Sequence, residues 1–144
     1  MFKSINEVLI FAAEKEQSAY EYYTALAARM QDSQTRQLFE HIASQELNHK
    51  HIIDKVRRNP GLDTKTIKLD AELLPKQVRS DRKSKLAIQN AIILAIQREE
   101  SAYDLYTNLF ETVDEDDIKK IFQSLAAEEA GHKKHLRKIL KKIK

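Results

Sequence analysis

The feature that most constrains this chain is an internal repeat, in which two stretches of sequence match at one constant offset. Residues 12–27 (AAEKEQSAYEYYTALA) match residues 95–110 (AIQREESAYDLYTNLF) at 8 of 16 positions. At the same offset, residues 38–51 match residues 121–134 at 5 of 14 positions, so no gap separates the two matched blocks. The identities include Tyr, Phe and His, so we favour duplication over the alternative of a merely shared helix-forming composition. The chain is therefore predicted to contain two copies of one structural unit.

Each copy has the sequence pattern of a helical hairpin. The chain contains only two Gly and two Pro, which argues against a turn-rich β-sandwich or barrel and favours long helices. A capping box, Ser4-Ile-Asn-Glu7, opens the first helix, and Pro60-Gly61 stops the second. Polar residues 31–34 and acidic residues 114–117 mark the turns within the hairpins.

These signals predict an all-α, four-helix bundle in a single domain spanning residues 1–144. Its parts are a first hairpin at about 4–59, a crossover at about 60–81 with one short helical turn, and a second hairpin at about 84–144. The absence of Cys excludes disulfides and cysteine-ligated metal centres from these residues. The longest apolar run is six residues, 91–96, and no leader pattern opens the sequence, so we expect a cytoplasmic protein without a membrane span.

The repeat preserves six residues with metal-binding chemistry. Glu16 corresponds to Glu99, and the motifs Glu46-Leu-Asn-His49 and Glu129-Ala-Gly-His132 correspond to each other. A spacing of three places Glu and His on one face of a helix. The two glutamates of each copy are separated by the same length of chain, and the predicted turn falls at its midpoint, so both should lie at one height. The pattern predicts four carboxylates and two imidazoles at one level of the core.

Such a group is difficult to explain by packing alone, because buried carboxylates without compensation are costly and repel one another. Two divalent cations would neutralise the four negative charges. The mixed oxygen and nitrogen ligands suit Fe or Mn, although Zn or Cu could compete for the same site. The alternative is that these residues are exposed helix charges paired with Lys or Arg.

At these residues the sequence resembles the rubrerythrin-type di-iron carboxylate family of the ferritin-like superfamily, over about residues 5–58 and 84–140. The resemblance implies a ferritin-like four-helix bundle in which the six Glu and His residues bind two iron ions that react with hydrogen peroxide or dioxygen. It also implies that Tyr23 and Tyr106 hydrogen-bond the glutamate ligands. A step of seven from Glu16 or Glu99 returns to the same helix face, which agrees with that placement. The alternative for these tyrosines is an ordinary aromatic role in the core.

Two departures from the family pattern limit this comparison. Typical rubrerythrins carry a cysteine-ligated rubredoxin domain, and these residues contain no Cys. The family also places a further carboxylate one turn after the third-helix glutamate, where this chain has Ala102. We therefore predict a symmetric six-ligand centre and give the peroxidase assignment less weight.

The leading hypothesis is a non-haem di-iron oxidoreductase that scavenges peroxide or oxygen, or oxidises ferrous iron. It would need an external electron donor such as rubredoxin, and we expect a homodimer with no specific nucleic-acid partner. The second hypothesis is an iron-binding or iron-storage protein without turnover, and the third is a helical interaction module with an empty, degenerate site.

Outside the Glu and His motifs, we interpret the remaining histidines and the basic C-terminal residues as follows. His41, His51 and His135 have no counterpart in the repeat and are predicted to be surface or packing residues. Residues 133–144 hold seven basic side chains and no acidic one. They form either a solvated cationic helix end that favours the helix dipole or a surface for an anionic partner.

Overall fold

The structure, a computed structural model, describes residues 4–58 and 84–143. They form four α-helices: α1 (Ile5–Ala28), α2 (Ser33–Arg57), α3 (Ser84–Thr112) and α4 (Asp116–Ile143). No strand occurs within these two ranges. The predicted helices are confirmed to within about two residues at their described ends, which is the usual uncertainty of a helix boundary. The predicted crossover at 60–81 lies outside the described residues.

The chain divides into two compact units, Met1–Lys68 and Leu69–Lys144. In the first unit α1 packs against α2, and in the second α3 packs against α4. Each pair of helices is joined by a short turn, which makes both units helical hairpins. The hairpin in each copy of the repeat is confirmed, whereas the assignment of residues 1–144 to one domain stays a prediction.

Side-chain caps fix where the helices of the first unit begin. The Ser4 hydroxyl accepts a hydrogen bond from the Glu7 backbone N–H at 3.2 Å, as the capping box predicts. The Asp32 carboxylate accepts hydrogen bonds from the Thr35 backbone N–H at 3.1 Å and from the Thr35 hydroxyl at 2.6 Å. Both caps satisfy backbone donors that the first turn of a helix leaves without a partner.

The two units repeat each other in packing as well as in sequence. Helix α4 begins at Asp116, the residue that the repeat matches with Ser33, the first residue of α2. In the first unit Tyr23 stacks on Phe39 with ring centroids 6.3 Å apart, and in the second Tyr106 stacks on Phe122 at 6.4 Å. These four rings are equivalent through the repeat and fully buried. The duplication therefore extends to the aromatic layer that joins the two helices of each hairpin.

The exposure of the remaining predicted residues follows the helix faces. His41, His51 and His135 are exposed, as predicted. Of the apolar residues that recur at helical spacing in the sequence, Ile42, Leu125, Leu136 and Ile139 are buried, whereas Leu38, Leu140 and Ile143 are only half-buried. Among the helices of the described residues, none combines the length and apolar character needed to cross a membrane.

The Asp32 cap generates a stability prediction. Asp32→Ala removes the acceptor for two hydrogen bonds at the start of α2, and we expect it to lower the free energy of unfolding by about 1 kcal/mol. Urea denaturation followed by circular dichroism measures this loss. Asp32→Asn keeps a side-chain acceptor and is the matched control. Equal stability of Asp32→Ala and the wild-type chain would contradict the role assigned to the cap.

Candidate metal centre

The six Glu and His residues singled out by the repeat lie on the buried faces of all four helices. Each continues a stripe of core residues at helical spacing. On α1, Glu16 lies between buried Ala12 and Ala19, and on α2, Glu46 and His49 lie between buried Ile42 and Ile53. The stripes are otherwise apolar, so the hydrophobic pattern that buries each helix also buries its ligand-type side chains.

In the first unit, one carboxylate from α1 meets a carboxylate and an imidazole from α2. The Nδ1 atom of His49 lies 3.7 Å from Oε2 of Glu16 and 3.4 Å from Oε1 of Glu46. One potential ligand atom from each of these residues falls within 4.8 Å of the others. We call this group, Glu16, Glu46 and His49, the first cluster.

The second unit contains the equivalent group, Glu99, Glu129 and His132, which we call the second cluster. The Nδ1 atom of His132 lies 3.5 Å from Oε2 of Glu99 and 3.6 Å from Oε1 of Glu129. Here too the three ligand-type atoms lie within 4.8 Å of one another. The same atoms therefore face one another in both copies of the repeat, at closely similar distances.

Burial separates these six residues from every other polar side chain of the described ranges. All six are at most 3% exposed, and among the described residues no other charged or strongly polar side chain is buried. An exposed-charge interpretation, in which surface Lys or Arg pair with the glutamates, is therefore wrong. Within the described ranges, the buried carboxylates and imidazoles therefore lie in two small clusters.

The separations within each cluster fit the edges of a metal coordination polyhedron. Two ligand atoms that are each about 2.1 Å from one ion lie about 3.0 Å apart in octahedral geometry and about 3.4 Å apart in tetrahedral geometry. The observed separations, from 3.4 Å to 3.7 Å, lie close to these values and beyond the usual length of an N–H···O hydrogen bond. The facing atoms make no hydrogen bond to the described residues, although each residue has other interactions in the protein.

The electrostatics of each cluster also favours a bound cation. Two carboxylates enclosed in an apolar hairpin repel each other strongly, because little solvent screens them. A divalent cation replaces that repulsion with attraction, and carboxylate plus imidazole is a ligand set for Fe, Mn or Zn. The residues present therefore fit a metal ion by separation, burial and chemistry.

Tyr23 and Tyr106 lie on the same helix faces as Glu16 and Glu99, two turns farther along. Both tyrosines are 1% exposed, and each ring stacks on the phenylalanine of the partner helix. A core aromatic role is therefore established for their rings. Hydrogen bonding of their hydroxyl groups to ligand carboxylates stays a prediction.

The sequence interpretation missed a polar contact that accompanies each cluster. In the first unit, Lys50 donates a hydrogen bond to the Gln17 side-chain oxygen at 3.0 Å. In the second unit, Lys133 pairs with Glu100 at 3.0 Å. The pairs are equivalent through the repeat, and the identity of Lys50 and Lys133 within the matched block was the available signal.

A cleft lies next to the second of these contacts. It has a volume of about 350 Å³ and is lined by Glu100, Tyr103, Asp104, Ala130 and Lys133. Tyr103 is 42% exposed there. Ala130, which lines the cleft, occupies the position that the half-buried Leu47 has in the first unit.

Comparison with known protein families assigns the chain to a family. The family model for rubrerythrin matches residues 7–140, which includes both clusters. The chain belongs to the rubrerythrin family. Among curated proteins, no match to this rubrerythrin-family chain was found.

Solved structures support the same fold. A hypothetical protein from Pyrococcus furiosus is 25% identical and has a TM-score of 0.80, with 96% of this chain and 89% of that chain covered. A Thermotoga maritima protein described as a putative ferritin-like diiron-carboxylate protein is 19% identical and has a TM-score of 0.81, with 98% and 97% covered. The predicted all-α, ferritin-like fold of this rubrerythrin-family chain is confirmed.

The buried charge leads to a prediction about the metal-free protein. Glu46→Gln and Glu129→Gln each remove one carboxylate from a crowded cluster while keeping its size. We expect each variant to raise the stability of the metal-free chain by about 1 kcal/mol, because carboxylate repulsion is relieved. Urea denaturation in the presence of a chelator measures the change.

Glu40→Gln is the control for that experiment, since Glu40 is an exposed glutamate of the same helix as Glu46. Its stability should remain within about 0.5 kcal/mol of wild type. Destabilisation by Glu46→Gln and Glu129→Gln would show that these carboxylates hold the fold together without metal, contrary to this account.

Proposed function

We propose that this protein is a non-haem di-iron oxidoreductase in which each cluster binds one iron ion and the two ions act together. Its oxidant is hydrogen peroxide or dioxygen, and an external protein such as rubredoxin returns the electrons. The physiological reaction is peroxide or oxygen scavenging, or oxidation of ferrous iron. The single observation that carries this proposal is the duplicated, buried Glu–Glu–His cluster.

Membership of the rubrerythrin family supports iron as the metal and an oxidant as the substrate. The Thermotoga maritima structure is described as a diiron-carboxylate protein, which supports the same metal number for this chain. Charge agrees with that number, because two divalent ions balance four glutamates. Manganese or zinc are possible substitutes, since the ligand atoms suit these ions as well.

A bound pair of ferrous ions would supply the two electrons that, with two protons, reduce one hydrogen peroxide to two waters. The six residues of the two clusters would hold that pair in place. His49 and His132 would each offer one nitrogen ligand, and the four glutamates would supply the oxygen ligands. The apolar stripes around the clusters exclude bulk water, which strengthens every electrostatic interaction inside.

Tyr23 and Tyr106 are proposed to orient the carboxylates of their own helices through their hydroxyl groups. Their stacked, buried rings cannot reorient without disturbing Phe39 and Phe122. A hydroxyl held in this way would fix which oxygen of a glutamate faces the metal.

Anaerobic loading with Fe(II) tests the proposal directly. About two irons per chain should bind, and hydrogen peroxide or dioxygen added separately should produce an absorption band in the near ultraviolet as the iron is oxidised. Stopped-flow absorption gives the two rates. Faster oxidation by peroxide supports peroxide scavenging, whereas faster oxidation by dioxygen supports oxygen scavenging or ferrous iron oxidation.

Glu46→Ala and Glu129→Ala should each reduce the bound iron by at least one ion per chain, because each removes a carboxylate from one cluster. Glu40→Ala is the matched control on the exposed face of α2. Unchanged stoichiometry in the cluster variants would overturn the ligand assignment. Two irons that bind but are not oxidised by either oxidant would favour the iron-binding or storage alternative.

A further inference from the structure

We infer that the Gln17–Lys50 and Glu100–Lys133 pairs are positioning residues, which hold the two helices of each hairpin in the register that brings the metal ligands together. The inference rests on the metal site proposed above. It concerns residues outside the six ligands, and its support comes from contacts that are repeated in both units.

The position of each pair along the chain is the first observation. Gln17 follows Glu16 directly, and Lys50 follows His49. In the second unit Glu100 follows Glu99, and Lys133 follows His132. Each pair therefore joins the two helices at the same height as the ligands, about 100° farther around each helix.

The geometry of the pairs is the second observation. The Lys50 Nζ to Gln17 Oε1 distance and the Lys133 Nζ to Glu100 Oε1 distance are both 3.0 Å. Each contact crosses from one helix of the hairpin to the other. A contact of that length restrains sliding and rotation of one helix against the other, which is the motion that would separate Glu16 from His49 or Glu99 from His132.

The repeat shows which property of the acceptor matters. An amide oxygen from Gln17 serves in the first unit, and a carboxylate oxygen from Glu100 serves in the second. A neutral acceptor is therefore sufficient for the contact. In the second unit, where the acceptor is charged, Arg137 forms a further ion pair with it: its Nη2 lies 3.6 Å from the same oxygen of Glu100.

The units should depend on their pairs to different degrees. Leu47 lies three residues before Lys50 on α2 and is half-buried. Its equivalent, Ala130, lies three residues before Lys133 and is exposed beside the cleft. At this position, three residues before the lysine of the pair, the second unit therefore buries less apolar surface than the first. We expect the second cluster to lose more when its polar contact is removed.

Titration of the metal-free full chain with Co(II), followed by visible ligand-field absorption and by chelator competition, tests the inference. Lys133→Met keeps the apolar stem of the side chain and removes its charge. This variant should weaken Co(II) binding about fivefold and change the shape of the absorption bands, and Glu100→Leu should do the same. Lys50→Met should weaken binding only about twofold.

Glu100→Gln should titrate as wild type, because it recreates the contact of the first unit. Asp54→Asn is the control for a general surface effect, since it breaks the 3.3 Å Asp54–Arg57 pair within α2 and should leave the bands unchanged. The stability of each metal-free variant is measured in parallel by urea denaturation. Loss of stability with unchanged bands and affinity would identify a merely structural contact and overturn the inference.

The outcomes separate this inference from the proposed function. A wild-type chain that binds no Co(II) would remove the metal site and this inference with it. Normal wild-type binding, together with wild-type affinity and bands in Lys133→Met and Glu100→Leu, would overturn the inference and leave the metal site intact.

Discussion

The constraint on which the rest of this structure depends is the burial of two carboxylates and one imidazole within each helical hairpin. Apolar side chains alone would pack these hairpins more stably, since charged groups lose solvation when they are enclosed. The chain nevertheless places all six ionisable side chains in its core and keeps its other charges outside in the described ranges. A pair of bound cations would give this arrangement a physical reason, because it would convert mutual repulsion into attraction.

Duplication explains how so small a chain can arrange six buried ligand-type side chains. One hairpin supplies three of them, and a second copy supplies the other three with the same spacing, the same stacked aromatic pair and an equivalent polar contact between helices. The copies differ outside these six residues. Ala130 stands where the first unit has a leucine, and a cleft opens beside Tyr103 in the second unit. That asymmetry makes the surroundings of the two clusters different although their ligand-type residues are alike.

The sequence alone was sufficient to predict the features that depend on helix periodicity. The capping box at Ser4, the turns near residues 31 and 114, and the convergence of Glu46 with His49 all depend on local helix geometry. The repeat alone does not predict the exposure of Tyr103, because its repeat partner Tyr20 is half-buried. The Lys50 and Lys133 contacts were missed for a related reason, since a long side chain on a helix surface can reach several partners and spacing alone does not select one.

The central claim is that each Glu–Glu–His cluster binds one metal ion. Anomalous X-ray diffraction from crystals of the full chain grown with Fe(II) under anaerobic conditions tests it most directly. The account predicts two anomalous peaks per chain, one within coordination distance of His49 and one within coordination distance of His132. Ordered clusters without a peak, or peaks confined to surface side chains, would contradict it.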